Sequence, residues 1–139
     1  MRKNDPVTNI MAKQVESIQE GQPLSEVYKM MCNTGIHHVP VLNSKKLVGL
    51  ISFTDMMKLS LAIDTSNSHT VSALIDQQFT IAEVMSKNLI TITEGQSVRD
   101  AAEALSEGDF HSSPVVDGAG NIAGMVTGTD LIRYLSAQY

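Results

Sequence analysis

Hydrophobic and polar positions alternate along this chain in blocks that predict short strands and amphipathic helices. Apolar runs at residues 39–42 and 47–52 flank four polar residues. Further runs at residues 114–116 and 122–127 flank a polar joint that contains glycine. Apolar runs of this length on both sides of a polar joint are typical of β-hairpins. The pattern therefore predicts two hairpins, one in each half of the chain.

The stretch before each predicted hairpin carries apolar residues at helical spacing. These positions follow i, i+3, i+4 and i+7, one face of an α-helix: Leu24, Val27, Tyr28 and Met31, then Val98, Ala101, Ala102 and Leu105. Short strands at residues 15–18 and 89–93 precede these helices, and a second helix follows each hairpin. Gly35 and Gly108 lie near the ends of the first helices, where left-handed backbone is expected.

The order β-α-β-β-α occurs twice because the chain contains an internal repeat. Residues 10–59 align with residues 84–134 at an offset of 74, which becomes 75 after one extra residue in the second hairpin joint. One unit of some fifty residues buries too little surface to be comfortably stable alone. We therefore expect an α/β (α+β) fold in which two β-α-β-β-α repeats pack as a pseudo-twofold pair of small sheets flanked by helices.

The repeat also predicts the domain organisation. Residues 1–66 are expected to hold the first repeat with an N-terminal segment, and residues 67–139 the second repeat with a linker segment, together forming one integrated module. Residues 71–75 between the two copies are predicted to form a short helical or extended segment.

Composition and charge exclude several classes of function. Of the 139 residues, 42% are hydrophobic, but no apolar run approaches the roughly 18 residues of a membrane span, and no signal peptide opens the sequence. We therefore expect a cytoplasmic protein with no membrane insertion. Ten basic and fifteen acidic side chains give a net charge of −5, which argues against a nucleic-acid partner.

The sequence does not predict a metal site. Cys32 is the only cysteine, so a zinc–thiolate cluster is excluded. His37 and His38 are adjacent and would point to opposite faces of a strand. His69 lies in a polar joint without a carboxylate or cysteine at ligand spacing. No Ser/His/Asp arrangement or phosphate-binding glycine loop predicts a catalytic residue, and we expect no required cofactor.

The strongest local motif is Gly-x-x-[Ser/Thr]-x-Thr-Asp, at residues 49–55 and 124–130. One interpretation is helix capping, because a hydroxyl residue followed three positions later by a carboxylate resembles a capping box. The other interpretation is a ligand site. Helix N–H groups attract phosphate, and a carboxylate can accept both hydroxyls of a ribose. The candidate residues are Ser52, Thr54, Asp55, Thr127, Thr129 and Asp130.

With His-x-x-Pro-Val at residues 37–41 and 111–115 in the same order in both copies, the chain resembles a tandem pair of CBS domains, a Bateman module. The likeness covers residues 7–137. It implies two clefts between the paired sheets that bind AMP, ADP or ATP or, in some members, S-adenosylmethionine. It also implies pairing into homodimers through helices.

The resemblance implies a role for each matching residue. Asp55 and Asp130 match ribose-binding carboxylates, and Ser52 and Thr127 match hydroxyls near the ribose and phosphate. The remaining matches border the adenine (Ser17, Ile18, Thr91, Ile92), form the apolar wall beside the base (Val39, Pro40, Pro114, Val115) or approach phosphates (His37, His111).

The sequence departs from the family pattern at two places, one of which affects the phosphate contacts and the other the space in the first cleft. Some members carry an Arg after the motif histidine, where this chain has His38 and Ser112; Lys13, Lys87, Arg99 or Arg133 are the possible substitutes. This puts a tight triphosphate site in doubt more than a monophosphate site. Phe53 stands where the second copy has Gly128, and its bulk could fill the first cleft.

The functional hypothesis is a regulatory module without enzymatic activity. It would bind an adenosine nucleotide and change its conformation or association to control a separate, unidentified protein. The alternatives are a dimerisation or scaffold module that has lost its ligand, and a sensor of S-adenosylmethionine.

Overall fold

The computed structural model describes residues 4–62, 71–107 and 111–139, which form a mixed α and β fold. The helices are α1 (Leu24–Thr34), α2 (Phe53–Ala62), α3 (Val71–Gln78), α4 (Ile81–Val84), α5 (Val98–Ser106) and α6 (Gly128–Ala137). The strands are β1 (Ile18–Gln19), β2 (His38–Asn43), β3 (Lys46–Ser52), β4 (Ile92–Thr93), β5 (Ser112–Val116) and β6 (Ile122–Thr127). The predicted β-α-β-β-α order is therefore confirmed in both repeats.

The six strands form two small three-stranded sheets, ordered β1-β2-β3 and β4-β5-β6. The first strand of each sheet runs parallel to the second, with Ile18 opposite Val41 in one sheet and Ile92 opposite Val115 in the other. In the second sheet β5 and β6 are antiparallel. The parallel register recurs in both sheets at an offset of 74, and the two sheets with their helices confirm the predicted fold class.

The chain divides into two compact units, and each unit takes its flanking segment from the other sequence repeat. The first repeat's sheet groups with residues 71–89, whereas the second repeat's sheet groups with residues 4–15. Residues 45–47 of the first hairpin also group with the second repeat. The predicted domains instead kept residues 4–15 with the first repeat. The predicted boundary between residues 66 and 67 lies outside the described residues.

Burial explains this grouping of the flanking segments. Val7 is fully buried in the apolar cluster of the second repeat, with Ala101, Val115 and Val126. Ile81 holds the equivalent position at an offset of 74 and is fully buried in the cluster of the first repeat. The structural repeat therefore begins at residues 7 and 81, earlier than the sequence alignment indicated.

Each flanking segment also adds a short bridge to the edge of its sheet. Ala12 and Met125 exchange backbone hydrogen bonds of 2.8 and 3.0 Å, and Ser86 and Leu50 do the same at 2.9 and 3.1 Å. Gly124 permits this approach, because a Cβ there would lie 2.7 Å from the carbonyl oxygen of Ala12. The repeated glycine in the motif thus has a packing role.

The first helices begin and end as their sequences require. Gly35 follows α1 in the left-handed conformation predicted for it, at φ 73°, while Gly108 lies outside the described residues. Helix α5 begins with a capping box between Ser97 and Asp100. Helix α1 has Pro23 at its start, and its first turn is held by Asp76 of α3, which accepts from the N–H and hydroxyl of Ser25.

The segment predicted at residues 71–75 is helical, as the first part of α3. It contributes Leu74 and Ile75 to the core of the first repeat. Among the helices of the described residues, none is long and apolar enough to cross a membrane.

Candidate functional site

The repeated motif forms a corner in each unit, where the last strand of the sheet turns into a helix. We call residues 52–55 with His37 the first corner and residues 127–130 with His111 the second corner. In each corner the first helical N–H donates to the carbonyl of the histidine, from Phe53 at 2.7 Å and from Gly128 at 3.0 Å. The two corners therefore share one backbone frame.

Each aspartate lies in the first turn of its helix and takes part in capping it. The Oδ2 atom of Asp55 accepts from the N–H of Ser52 at 3.1 Å, and the N–H of Asp55 donates to the Ser52 hydroxyl at 3.1 Å. In the second corner the corresponding distances between Asp130 and Thr127 are 2.9 and 3.2 Å. The capping interpretation of the motif is thus confirmed, with Asp in place of the usual Glu or Gln.

Capping leaves part of each corner without a partner. The hydrogen bonds of the described residues engage only the Oδ2 atoms, so Oδ1 of Asp55 and of Asp130 accepts none. The N–H groups of Thr54 and Thr129, in the first turns of α2 and α6, also donate to no described residue. A free carboxylate oxygen and a free N–H in the first turn of the same helix suit a ligand that carries both hydroxyls and an anionic group. Capping and ligand binding are therefore compatible.

The corners differ in one side chain. The Phe53 ring stacks on the His37 ring with centroids 5.4 Å apart, and Phe53 remains 44% exposed. At the equivalent place Gly128 has no side chain, and outside its own helix and chain neighbours the atom nearest to a Cβ there would be the carbonyl oxygen of His111, at 4.0 Å. The first corner is covered by an aromatic pair, and the second is not.

The other residues predicted for the site divide between surface and core. The exposed or half-exposed members are Ser17, His37, Thr54, Thr91, His111 and Thr129. Four predicted members, Ile18, Val39, Ile92 and Val115, are buried within the apolar clusters. Pro40 and Pro114 are buried on β2 and β5. The possible phosphate partners Lys13, Lys87, Arg99 and Arg133 are all exposed.

Sequence reasoning left the polar character of β5 unexplained. Ser112 and Ser113 are 5% and 0% exposed. The Ser113 hydroxyl donates to the carbonyl of Ile90 at 2.8 Å, whereas the Ser112 hydroxyl has no hydrogen-bond partner among the described residues. Two serines within an otherwise apolar strand indicate that their hydroxyls need polar partners, since every residue of β5 is buried. Only the three-dimensional structure shows which hydroxyl is paired and which is not.

No group of three or more potential metal-ligating side chains occurs within the described parts of the chain. His69 lies outside them.

A surface cavity of about 420 Å³ lies at the start of α5, bordered by Pro6, Gln96 and Arg99. There the backbone N–H of Ser97, and then its hydroxyl, lower the pKa of Asp100 below the usual 3.8.

Two copies of a three-stranded sheet, each leading into a capped helix at an equivalent corner, define a tandem α+β repeat module. The chain belongs to the CBS domain family: the CBS domain model matches residues 7–62 and 81–137. The family resemblance predicted from the motifs is confirmed.

Solved structures and curated relatives agree with this assignment. The CBS domain pair of protein MJ0100, in complex with 5′-methylthioadenosine and S-adenosyl-L-methionine, is 27% identical, with a TM-score of 0.77 over 98% of this chain and 99% of that one. Protein MJ1225 of Methanocaldococcus jannaschii is 28% identical, with a TM-score of 0.81 over 97% of this chain and 49% of that one.

A homoserine O-acetyltransferase of Methanohalobium evestigatum is 31% identical over 130 residues, which are 93% of this chain and 24% of the relative. The chain thus spans from about a quarter to about half of the length of such curated relatives. Most of the enzyme therefore lies outside the match.

Proposed function

We propose that this chain is a regulatory module that binds an adenosine-containing small molecule at its second corner and signals its presence to a partner protein. The observation that carries the proposal is the partly used capping box. Asp130 caps α6 with Oδ2 alone, so that its Oδ1 and the N–H of Thr129 in the same helical turn both have no partner among the described residues. A ribose offers two hydroxyls to such a carboxylate, and an anionic group attached to it suits a helix N-terminus.

The resemblance to MJ0100 supports the adenosine part of the ligand. The two molecules in that structure, 5′-methylthioadenosine and S-adenosyl-L-methionine, share an adenosine and carry no phosphate. In this chain Ser112 follows the motif histidine, where some members of the family carry an Arg. We therefore propose AMP, 5′-methylthioadenosine and S-adenosylmethionine as candidate ligands ahead of ATP.

The signal would arise from a shift in population. A ligand favours the conformation in which it contacts Asp130, Thr129 and the rest of the corner. The population of that conformation increases by as much as the ligand's affinity for it exceeds the affinity for other conformations. Binding energy thereby changes the conformation or association of the module. We propose no catalytic step.

A thermal-unfolding screen of the full chain tests this function. With AMP, ATP, 5′-methylthioadenosine and S-adenosylmethionine as probes, a ligand at 100 times its Kd stabilises the fold by about 2.7 kcal/mol. Inorganic phosphate and GMP are the controls for charge and for the base. A rise in Tm with at least one adenosine probe and none with the controls supports the proposal. No rise with any adenosine probe at millimolar concentration contradicts it.

Exposed apolar side chains on the helices favour self-association as a second property. Helix α2 exposes Phe53, Met57 and Leu61 at a spacing of four residues, with Leu61 87% exposed. On α6, Ile132 and Leu135 are 68% and 46% exposed. Exposed apolar side chains on one face of a helix are typical of interaction sites, and we propose a homodimer that pairs through such helix faces.

Analytical ultracentrifugation tests the homodimer. The native chain should sediment as a dimer, and the double variant Leu61→Lys, Ile132→Lys should sediment as a folded monomer. If the chain dimerises yet binds none of the adenosine probes, the scaffold alternative replaces the sensor.

A further inference from the structure

The buried hydroxyl of Ser112 lies on the sheet face that carries the second corner. Ser112 is opposite Thr127 in the antiparallel pairing of β5 and β6, and Ser113 is opposite Val126. Directly opposite residues project to the same face of a sheet, and successive residues alternate between faces. Val126 belongs to the apolar cluster with Ala101, so Ser113 faces the helices. Ser112 therefore faces the other side, together with Thr127.

This hydroxyl is an exception among the buried polar groups of the described residues. It is the one buried side-chain oxygen among them that lacks a hydrogen-bond partner. A buried polar group without a partner destabilises a fold, and most such groups in native proteins are paired. The neighbouring Ser113 shows that this strand can pair a buried hydroxyl, since it donates to Ile90.

The surroundings of Ser112 indicate what partner would suit it. The hydroxyl of the opposite residue, Thr127, donates to Asp130 at 3.0 Å. Ser112 is thus paired with the residue that donates to the carboxylate proposed to hold a ribose. A serine hydroxyl is neutral and can both donate and accept, which fits a sugar hydroxyl.

We infer that Ser112 is a ligand-contacting residue of the second corner, and that its hydroxyl bonds to a hydroxyl of the ribose of the bound adenosine derivative. This inference rests on the proposed function. It gives a new role to the position after the motif histidine, where some members of the family carry an Arg, because a short neutral hydroxyl on β5 suits a sugar hydroxyl.

The neighbouring serines provide a matched pair of variants for the test. In Ser112→Ala the free protein keeps or gains thermal stability, because an unpaired buried hydroxyl is removed, while the Kd for AMP or 5′-methylthioadenosine rises about three- to tenfold, the usual value of one hydrogen bond. In Ser113→Ala the Tm of the free protein falls, because a paired hydroxyl is lost, while the Kd of the folded protein stays within twofold of the native value.

Sugar analogues identify the contacted group. The 2′-deoxy and 3′-deoxy forms of AMP each lack one hydroxyl. With the analogue that lacks the hydroxyl bonded to Ser112, the Ser112→Ala variant and the native protein should bind equally well. If Ser112→Ala weakens both analogues by the full factor seen with AMP, the assignment to the ribose is wrong.

The outcomes separate this inference from the proposed function. If Asp130→Asn loses affinity and Ser112→Ala and Ser112→Cys both bind like the native protein, the inference about Ser112 is wrong and the function stands. If the native chain binds no adenosine probe, both fail. The Ser112→Cys variant keeps the size of the side chain with a much weaker hydrogen-bonding group, so it provides the same test should Ser112→Ala not fold.

Discussion

The two corners of this protein share the same backbone arrangement and differ in the side chain of one residue. In both, the first helical N–H bonds to a histidine carbonyl and an aspartate caps the helix through one oxygen. The first corner then places the Phe53 ring against His37, and the second has Gly128 at the same position. The comparison teaches that capping maintains the frame in both copies, whereas the residue after the strand differs, and we propose that this residue decides which copy binds a ligand.

The largest expected effect comes from the motif glycines, Gly124 and Gly49, each of which packs against the flanking segment within its own unit. A Cβ on Gly124 would meet the Ala12 carbonyl at 2.7 Å and the Met11 sulfur at 2.6 Å, whereas the three atoms nearest to a Cβ on Gly49 all belong to the side chain of Met85. Backbone cannot yield as a methionine side chain can. Gly124→Ala should therefore destabilise the fold by about 3 kcal/mol and Gly49→Ala by about 1 kcal/mol, within the range for overpacking, measured by urea unfolding.

A second substitution checks this explanation of the two glycines. In a protein that already carries Met85→Ala, the further change Gly49→Ala should cost little stability, because the clashing side chain is gone. Met11→Ala should not rescue Gly124→Ala, because the carbonyl of Ala12 remains. Equal rescue in both units would mean that the clash with backbone is unimportant.

The next effect compares the aspartates as ligand groups. Asp130→Asn keeps an oxygen that can accept from the Thr127 N–H, but it removes the charge offered to a ribose. The Kd for the adenosine probe that binds best should rise about thirtyfold, which corresponds to about 2 kcal/mol for a hydrogen bond to a charged group. Asp55→Asn should leave the Kd within twofold, since Phe53 covers the first corner. Calorimetric titration measures both, and a larger loss with Asp55→Asn would reverse the roles of the corners.

A smaller effect compares the first helices of the two repeats. The start of α1 depends on a carboxylate 51 residues away, because Asp76 accepts from both the N–H and the hydroxyl of buried Ser25. Asp76→Ala leaves these two donors unpaired and should cost about 1.5 kcal/mol of unfolding free energy. Asp100→Ala in the capping box of α5 should cost less, because its partner Ser97 is half-buried whereas Ser25 is buried, so water can replace the carboxylate more readily there. A greater loss from Asp100→Ala in urea unfolding would contradict this ranking.

The smallest effect is a pH dependence confined to α5. The N–H of Ser97, then its hydroxyl, lower the pKa of Asp100 below 3.8. Because the folded pKa is lower than the unfolded one, the stabilisation is present above pH 3.8 and is lost as the pH falls through the folded pKa. Asp100→Asn should therefore lie below the native protein in stability at pH 6, and the two should converge under acid conditions. A constant difference between pH 6 and pH 2 would contradict a role for the charge.

Local sequence was sufficient to predict the elements and the family. The helical spacing from Leu24 to Met31 and the paired hairpin runs correspond to observed helices and strands, because each pattern depends on neighbours along the chain. The exchange of flanking segments was not predictable in the same way. Met11 and Met85 look alike in sequence, and nothing local indicates that Met11 packs on Gly124 of the other repeat.

The candidate site was predictable to the same extent. The capping geometry at Asp55 and Asp130 follows from residue spacing, and it is observed. The placement of Ile18, Val39, Ile92 and Val115 within the apolar clusters depends on which face of a short strand meets the helices. The unpaired state of Ser112 depends on all its neighbours at once, so it needed the structure.

The most direct test of the account exchanges the residue that distinguishes the corners. Calorimetric titration of the native chain, Gly128→Phe and Phe53→Gly with the same adenosine probe counts the sites in each. A Cβ at Gly128 has 4.0 Å of clearance from the His111 carbonyl oxygen, so the first atom of a side chain fits there without a clash. The account predicts one site per native chain, none in Gly128→Phe and two in Phe53→Gly. Undiminished binding by Gly128→Phe would contradict it.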